Sequence, residues 1–93
     1  MLIPLSSTIT ISTEVLAQEV EGETVLLDLQ SESYFGLDEV GTRIWQLLQE
    51  HKTLQEVLDI MLEEYDVDEK QLETDLNELL KKLLDVKLIT VAV

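Results

Sequence analysis

Hydrophobic positions along this chain change their period near the middle. Tyr34-Phe35-Gly36-Leu37 reads as a short aromatic strand, whereas beyond Asp38 the residues Val40, Ile44, Leu47 and Leu48 recur on one side of a helix. Upstream, Glu23-Thr24-Val25-Leu26-Leu27-Asp28-Leu29 reads as another strand, and Gln30-Ser31-Glu32-Ser33 supplies the turn between the two. Ile11 to Val20 is an earlier strand with imperfect alternation, joined through Glu21-Gly22-Glu23, where glycine tolerates the positive φ of a tight reversal. Strands at about 24–30 and 33–37 thus complete a three-stranded meander. The last of them follows a polar turn and is expected at a sheet edge, where unpaired backbone groups can accept a peptide. Residues 1–10, with Pro4 and several Ser and Thr, read as a flexible lead-in to a domain over 11–93, and Leu88 to Val93 as a final strand or an extended tail.

Three helices follow the meander, each with a start signal. Asp38 can cap the first, with Glu39 favourable against the helix dipole. Thr53-Leu54-Gln55-Glu56 has the form of a capping box for the second, and Asp68-Glu69-Lys70-Gln71 a similar one for the third. Leu54, Val57, Leu58, Met61, Leu62 and Tyr65 make the apolar face of the second helix. Leu72, Leu76, Leu79, Leu80, Leu83 and Leu84 do so for the third. Leu72, Leu76, Leu79 and Leu83 also have heptad spacing, but over only about two heptads where roughly three or four are needed. Leu80 and Leu84 widen that seam into a face suited to a core, and an oligomer through this helix stays open.

Length and composition narrow the function. At 93 residues the chain is one small domain with a modest core and no room for a sizeable substrate cavity. It has no cysteine, which excludes disulfides, thiolate chemistry and cysteine-ligated zinc. The apolar start Met1-Leu2-Ile3-Pro4-Leu5 is too short for a signal peptide, and nothing approaches the roughly 18 apolar residues of a membrane span. A soluble cytoplasmic protein is expected. His51, the one histidine, stands beside Lys52 at the end of the first helix and suits a cap or surface role better than that of a general base. No G-x-S-x-G elbow or Gly-rich phosphate loop occurs. The acidic segment from Asp66 has Lys70 where a calcium ligand should stand and lacks the turn glycine. The chain is therefore expected to be no enzyme, and to carry neither metal nor cofactor.

Charge speaks to partners. Six basic residues against twenty acidic give a formal net charge of −14, and the first basic residue is Arg43. The acids either keep a small protein soluble or attract a basic peptide or protein surface. A small antiparallel sheet followed by three helices is an α+β, winged helix-turn-helix-like arrangement, and many such units bind DNA. Here the third helix carries Glu69, Glu73, Asp75 and Glu78 against Lys70, Lys81 and Lys82, a balance that phosphates would repel. No nucleic-acid partner is expected.

Val25-Leu26-Leu27-Asp28-Leu29, followed by the run from Tyr34 through Gly41-Thr42-Arg43-Ile44-Trp45, resembles the PqqD-type peptide-binding domains, or RiPP recognition elements. Thr53-Leu54-Gln55-Glu56-Val57, Tyr65-Asp66-Val67 and Leu83-Leu84-Asp85-Val86-Lys87-Leu88-Ile89 fit the same pattern, so that the resemblance spans residues 11–90. Asp28-Leu29-Gln30 stands where the member serving pyrroloquinoline quinone synthesis has a Tyr-Pro-Glu-Gly-like turn, and the likeness is greatest to stand-alone members of lasso-peptide clusters. The resemblance implies a non-catalytic adaptor. The leader of a ribosomally made precursor peptide would add as a strand beside the third strand, in a groove against the third helix, for presentation to a leader peptidase and an ATP-dependent cyclase. Carried onto this chain, Ser33, Tyr34, Phe35, Gly36 and Leu37 would supply the ladder, and Leu72, Asp75, Leu76 and Leu79 the helical wall. Tyr34 and Phe35 point to opposite faces, so one lines the groove while the other packs inward; Trp45, flanked by Ile44 and Leu48, is assigned to the core. The alternative is an acidic winged-helix protein–protein or regulatory module without a peptide ligand.

Overall fold

Residues 3–50 and 53–92 are described by a computed structural model. Its elements are β1 (Thr8–Ile11), β2 (Val15–Val20), β3 (Glu23–Asp28), β4 (Ser33–Leu37), α1 (Glu39–Gln49), α2 (Leu54–Glu64), α3 (Glu69–Asp85) and β5 (Ile89–Ala92). The chain is thus a small α+β domain with a three-stranded antiparallel sheet, ordered β2-β3-β4, and three helices. A separate antiparallel pair, β1-β5, brings the two ends of the chain together.

Two turns set the register of the meander. Glu21 and Gly22 both have positive φ, at 52° and 84°, and form a two-residue reversal that pairs Val20 with Glu23. At the other end Asp28 is buried and accepts from Gln30 N (3.1 Å) and Ser31 Oγ (2.8 Å), an Asx turn that stops β3 two residues short of the expected 24–30. The expected strand over 11–20 is in fact two. Ser12 Oγ accepts from Glu14 N (3.1 Å), and the chain bends there: Ile11 stays with β1, and Val15 opens β2.

The lead-in expected over residues 1–10 needs correction over the part described. Gln55 and Leu54 donate their backbone N–H groups to Leu5 O (2.9 Å) and Ser7 O (3.0 Å), and Ile9 lies in the core. Polar Ser and Thr obscured this in the sequence, since one buried isoleucine in a four-residue strand leaves little periodic signal. The C-terminal segment is the strand rather than the tail. It is aimed by the end of α3, where Lys87 adopts a φ of 63°, and Lys87 N and Leu88 N close onto Leu84 O and Leu83 O, both at 3.0 Å.

The core lies between the helices and the inner faces of both sheets. Leu26 and Leu37 meet Ile44, Trp45, Leu47 and Leu48 of α1, which packs against β1, β3, β4, α2 and α3. On α3 the buried residues are Leu72, Leu76, Leu80 and Leu83. The heptad seam is therefore mostly occupied by this chain's own core. Asp38 caps α1 through Gly41 N (2.8 Å), and the Thr53–Glu56 capping box is complete. At α3 only half a box forms: Asp68 accepts from Gln71 N (3.2 Å), but the Gln71 amide donates onward to Asp75 Oδ1 (2.9 Å). Arg43 grips Glu64 with two hydrogen bonds of 2.7 Å, tying α1 to the end of α2; its hydrogen bond and charge hold the Glu64 carboxylate below the usual range. His51 and Lys52 lie outside the described residues.

Candidate peptide-binding groove

The strand order leaves β4 at an edge, paired with β3 on one side only. An edge strand presents alternate N–H and C=O groups outward, ready to pair with another chain. The unpaired edge borders an open groove of about 480 Å³ between the end of β4 and α3. Gly36 and Leu37 form its strand side, and Asp75, Glu78, Leu79 and Lys82 its opposite wall. The start of α1 supplies the floor through Val40, Gly41 and Ile44, with Asp38 at the junction.

Local chemistry explains that shape. The Asp38 cap turns the chain from strand to helix within one residue, and Thr42 N returns to Asp38 O (2.8 Å). A side chain at Gly41 would begin 3.2 Å from Asp38 Oδ1 and 3.4 Å from Leu37 Cβ. Glycine there lets α1 start directly beneath the strand without filling the space. The opposite wall follows from the rotation of α3. With Leu72, Leu76, Leu80 and Leu83 turned to the core, the stripe Asp75, Glu78/Leu79, Lys82 faces the groove at helical spacing. That wall is half-apolar at Leu79 and charged on either side. Among the described residues neither Glu78 nor Lys82 makes an ion pair.

The sequence-derived site residues divide accordingly. Gly36, Leu37, Asp75 and Leu79 come together around the groove, and Ser33 begins its edge strand. Leu72 and Leu76 do not line it: α3 turns both into the core together with Leu80 and Leu83. Tyr34 is 70% exposed and lies on the opposite face of the sheet, beside Leu27, whereas Phe35 is half-buried and paired with Leu26 against the core. Tyr34 thus turns its side chain away from the groove. Sequence reasoning missed the floor, Val40, Gly41 and Ile44, and the wall residues Glu78 and Lys82. The i, i+3/i+4, i+7 stripe from Asp75 was there to be read, but only the helix rotation shows that it faces β4.

The sequence profile of the family described as coenzyme PQQ synthesis protein D (PqqD) matches residues 23–89, well over half the chain and all of the groove. The chain belongs to the PqqD family. It is a PqqD-type RiPP recognition element by sequence and by fold. A solved structure, TbiB1 in complex with the TbiA(beta) leader peptide, is 44% identical; the match covers 85% of this chain and 92% of that one, with a TM-score of 0.79. A second, lasso peptide synthetase B1 complexed with the leader peptide, is 23% identical over 88% of this chain and 96% of that one, also with a TM-score of 0.79, and shares the fold. No curated protein matches. No helix among the described residues is long and apolar enough to cross a membrane.

Proposed function

We propose that this PqqD-family chain is a non-catalytic adaptor in the biosynthesis of lasso peptides or a related class of ribosomally made peptides. It binds the leader of a precursor peptide as an added strand on β4 and presents the precursor to a leader peptidase and an ATP-dependent cyclase in the cytoplasm. The observation that supports this reading is the juxtaposition of an unpaired strand edge with an open groove, in a chain 44% identical to TbiB1, whose structure contains a leader peptide.

The backbone of Ser33–Leu37 supplies affinity through main-chain hydrogen bonds that any extended peptide can make. Selectivity comes from alternate leader side chains, which descend toward Leu79, Val40 and Ile44 and pass between Asp75, Glu78 and Lys82. The surplus of carboxylates favours a basic residue in that part of the leader and speeds encounter. In this reading the scaffold is winged-helix-like, with its third helix serving a peptide rather than a DNA groove.

Calorimetric titration with the leader encoded beside this gene tests the proposal. The expected dissociation constant is micromolar or tighter, about −8 kcal/mol, and the leader's mass is unchanged after prolonged incubation. No heat of binding at high micromolar concentration, or cleavage of the peptide by the pure protein, would contradict it.

A further inference from the structure

The solvent face of the β2-β3-β4 sheet departs from what an isolated domain needs. An antiparallel sheet with one face on the core ordinarily alternates apolar-in with polar-out. In β3 the inward residues Thr24, Leu26 and Asp28 are buried as expected, but the outward ones include Val25, 43% exposed, and half-buried Leu27. Register sets Leu16, Leu27 and Tyr34 side by side across three strands. Leu16 is 56% exposed. Together with Val25 they surround a shallow depression of about 450 Å³ whose lining comes from these three strands alone. Contiguous exposed apolar surface centred on an aromatic with a polar tip is the composition of an interaction site rather than of a solvated face.

Charge identifies the kind of partner. Glu21 stands in the turn at one end of this face, Glu32 in the turn at the other, and Glu23 on the face itself, all exposed. No Lys or Arg precedes Arg43, and Arg43 is engaged by Glu64. We propose that this outer face is a second docking surface, for a partner protein that presents an apolar patch bordered by Lys and Arg. A second copy of the chain fits poorly, because stacking two such faces would bring the same carboxylates together on two molecules of net charge −14. The face shares no lining residue with the groove. Strand alternation puts Tyr34 on one side and Phe35 on the other, so both surfaces can be occupied at once. Resting on the adaptor reading, the partner is one of the enzymes that receive the presented precursor.

The test uses Leu16→Thr/Val25→Thr, which places a β-branched, strand-compatible residue at both positions while removing apolar surface away from the groove. Wild type and variant are titrated separately with leader, with the leader peptidase and with the cyclase of the same gene cluster. Self-association is followed by sedimentation equilibrium. The expected result is leader affinity within twofold of wild type and at least tenfold weaker binding to one enzyme, with Glu23→Gln reducing the salt dependence of that association. Equal binding of both enzymes by wild type and variant overturns the proposal, as does no binding of either enzyme by wild type. A wild-type dimer abolished in the variant overturns it in favour of a second copy. Failure of the leader to bind wild type would refute the adaptor reading instead, and the enzyme titrations would still decide the outer face.

Discussion

Leu79 and Leu76 lie three residues apart on α3, yet truncating them should give opposite signatures. Leu76 is 1% exposed and belongs to the core cluster, so Leu76→Ala removes three carbons from a packed site and should cost about 2–5 kcal/mol of stability. That is a large part of the roughly 5–15 kcal/mol available to a small domain. Leu79 is half-buried and lines the groove, so its truncation in the free protein leaves a dent open to water and should cost only about 1 kcal/mol. Its remaining surface is what a bound leader would cover. Fully burying a leucine contributes about 1.5–3 kcal/mol, of which roughly half is still available at Leu79. With the gap left in the complex, Leu79→Ala should weaken leader binding by about 1–2 kcal/mol, roughly five- to thirtyfold. Urea midpoints and leader titrations on both variants make the comparison, at a temperature where Leu76→Ala remains folded. A Leu79→Ala protein as destabilised as Leu76→Ala, with its affinity intact, would assign Leu79 to the core. Unchanged affinity with near-native stability would mean that leader side chains do not enter this groove.

Other outcomes follow from single contacts. Because Arg43 lowers the Glu64 pKa, that pair stabilises the fold above the ordinary glutamate range and loses its effect as pH falls through the lowered value; the urea midpoints of wild type and Glu64→Gln should differ at pH 7 and converge in acid. Lys87 holds a left-handed conformation at the end of α3, so Lys87→Gly should raise stability by up to about 1 kcal/mol, read as a higher melting temperature. Asp75→Asn keeps the shape of the groove wall while removing a charge, and stopped-flow association of the leader should become less sensitive to salt between about 50 and 500 mM, with dissociation little changed.

How much the sequence disclosed depended on the range of each signal. Local chemistry was legible: the Asp38 cap, the Thr53–Glu56 box and the positive φ at Gly22 are each decided within a few residues. So was the change of period that carries β4 into α1. Long-range pairing was not. β1 is recognised only through β5, more than seventy positions away, where Ile9 pairs with Val91 and Ile11 with the buried Ile89. On α3 six leucines form a face wider than the core can take, and nothing local says which edge of that face is left for the groove; Leu72 and Leu76 went inward and Leu79 remained at the border. Strand alternation correctly separated Tyr34 from Phe35, but only the packed helices show that the groove lies away from Tyr34.

On the proposed function, a leader peptide becomes a strand on the free edge of β4. Backbone amide NMR with hydrogen exchange, on labelled protein with and without saturating leader, tests it most directly. Within Ser33–Leu37 those N–H groups directed away from β3 should gain protection and shift downfield, while the amides of α2 change little. Leader binding that protects no amide in Ser33–Leu37, or that protects α2 instead, would contradict it.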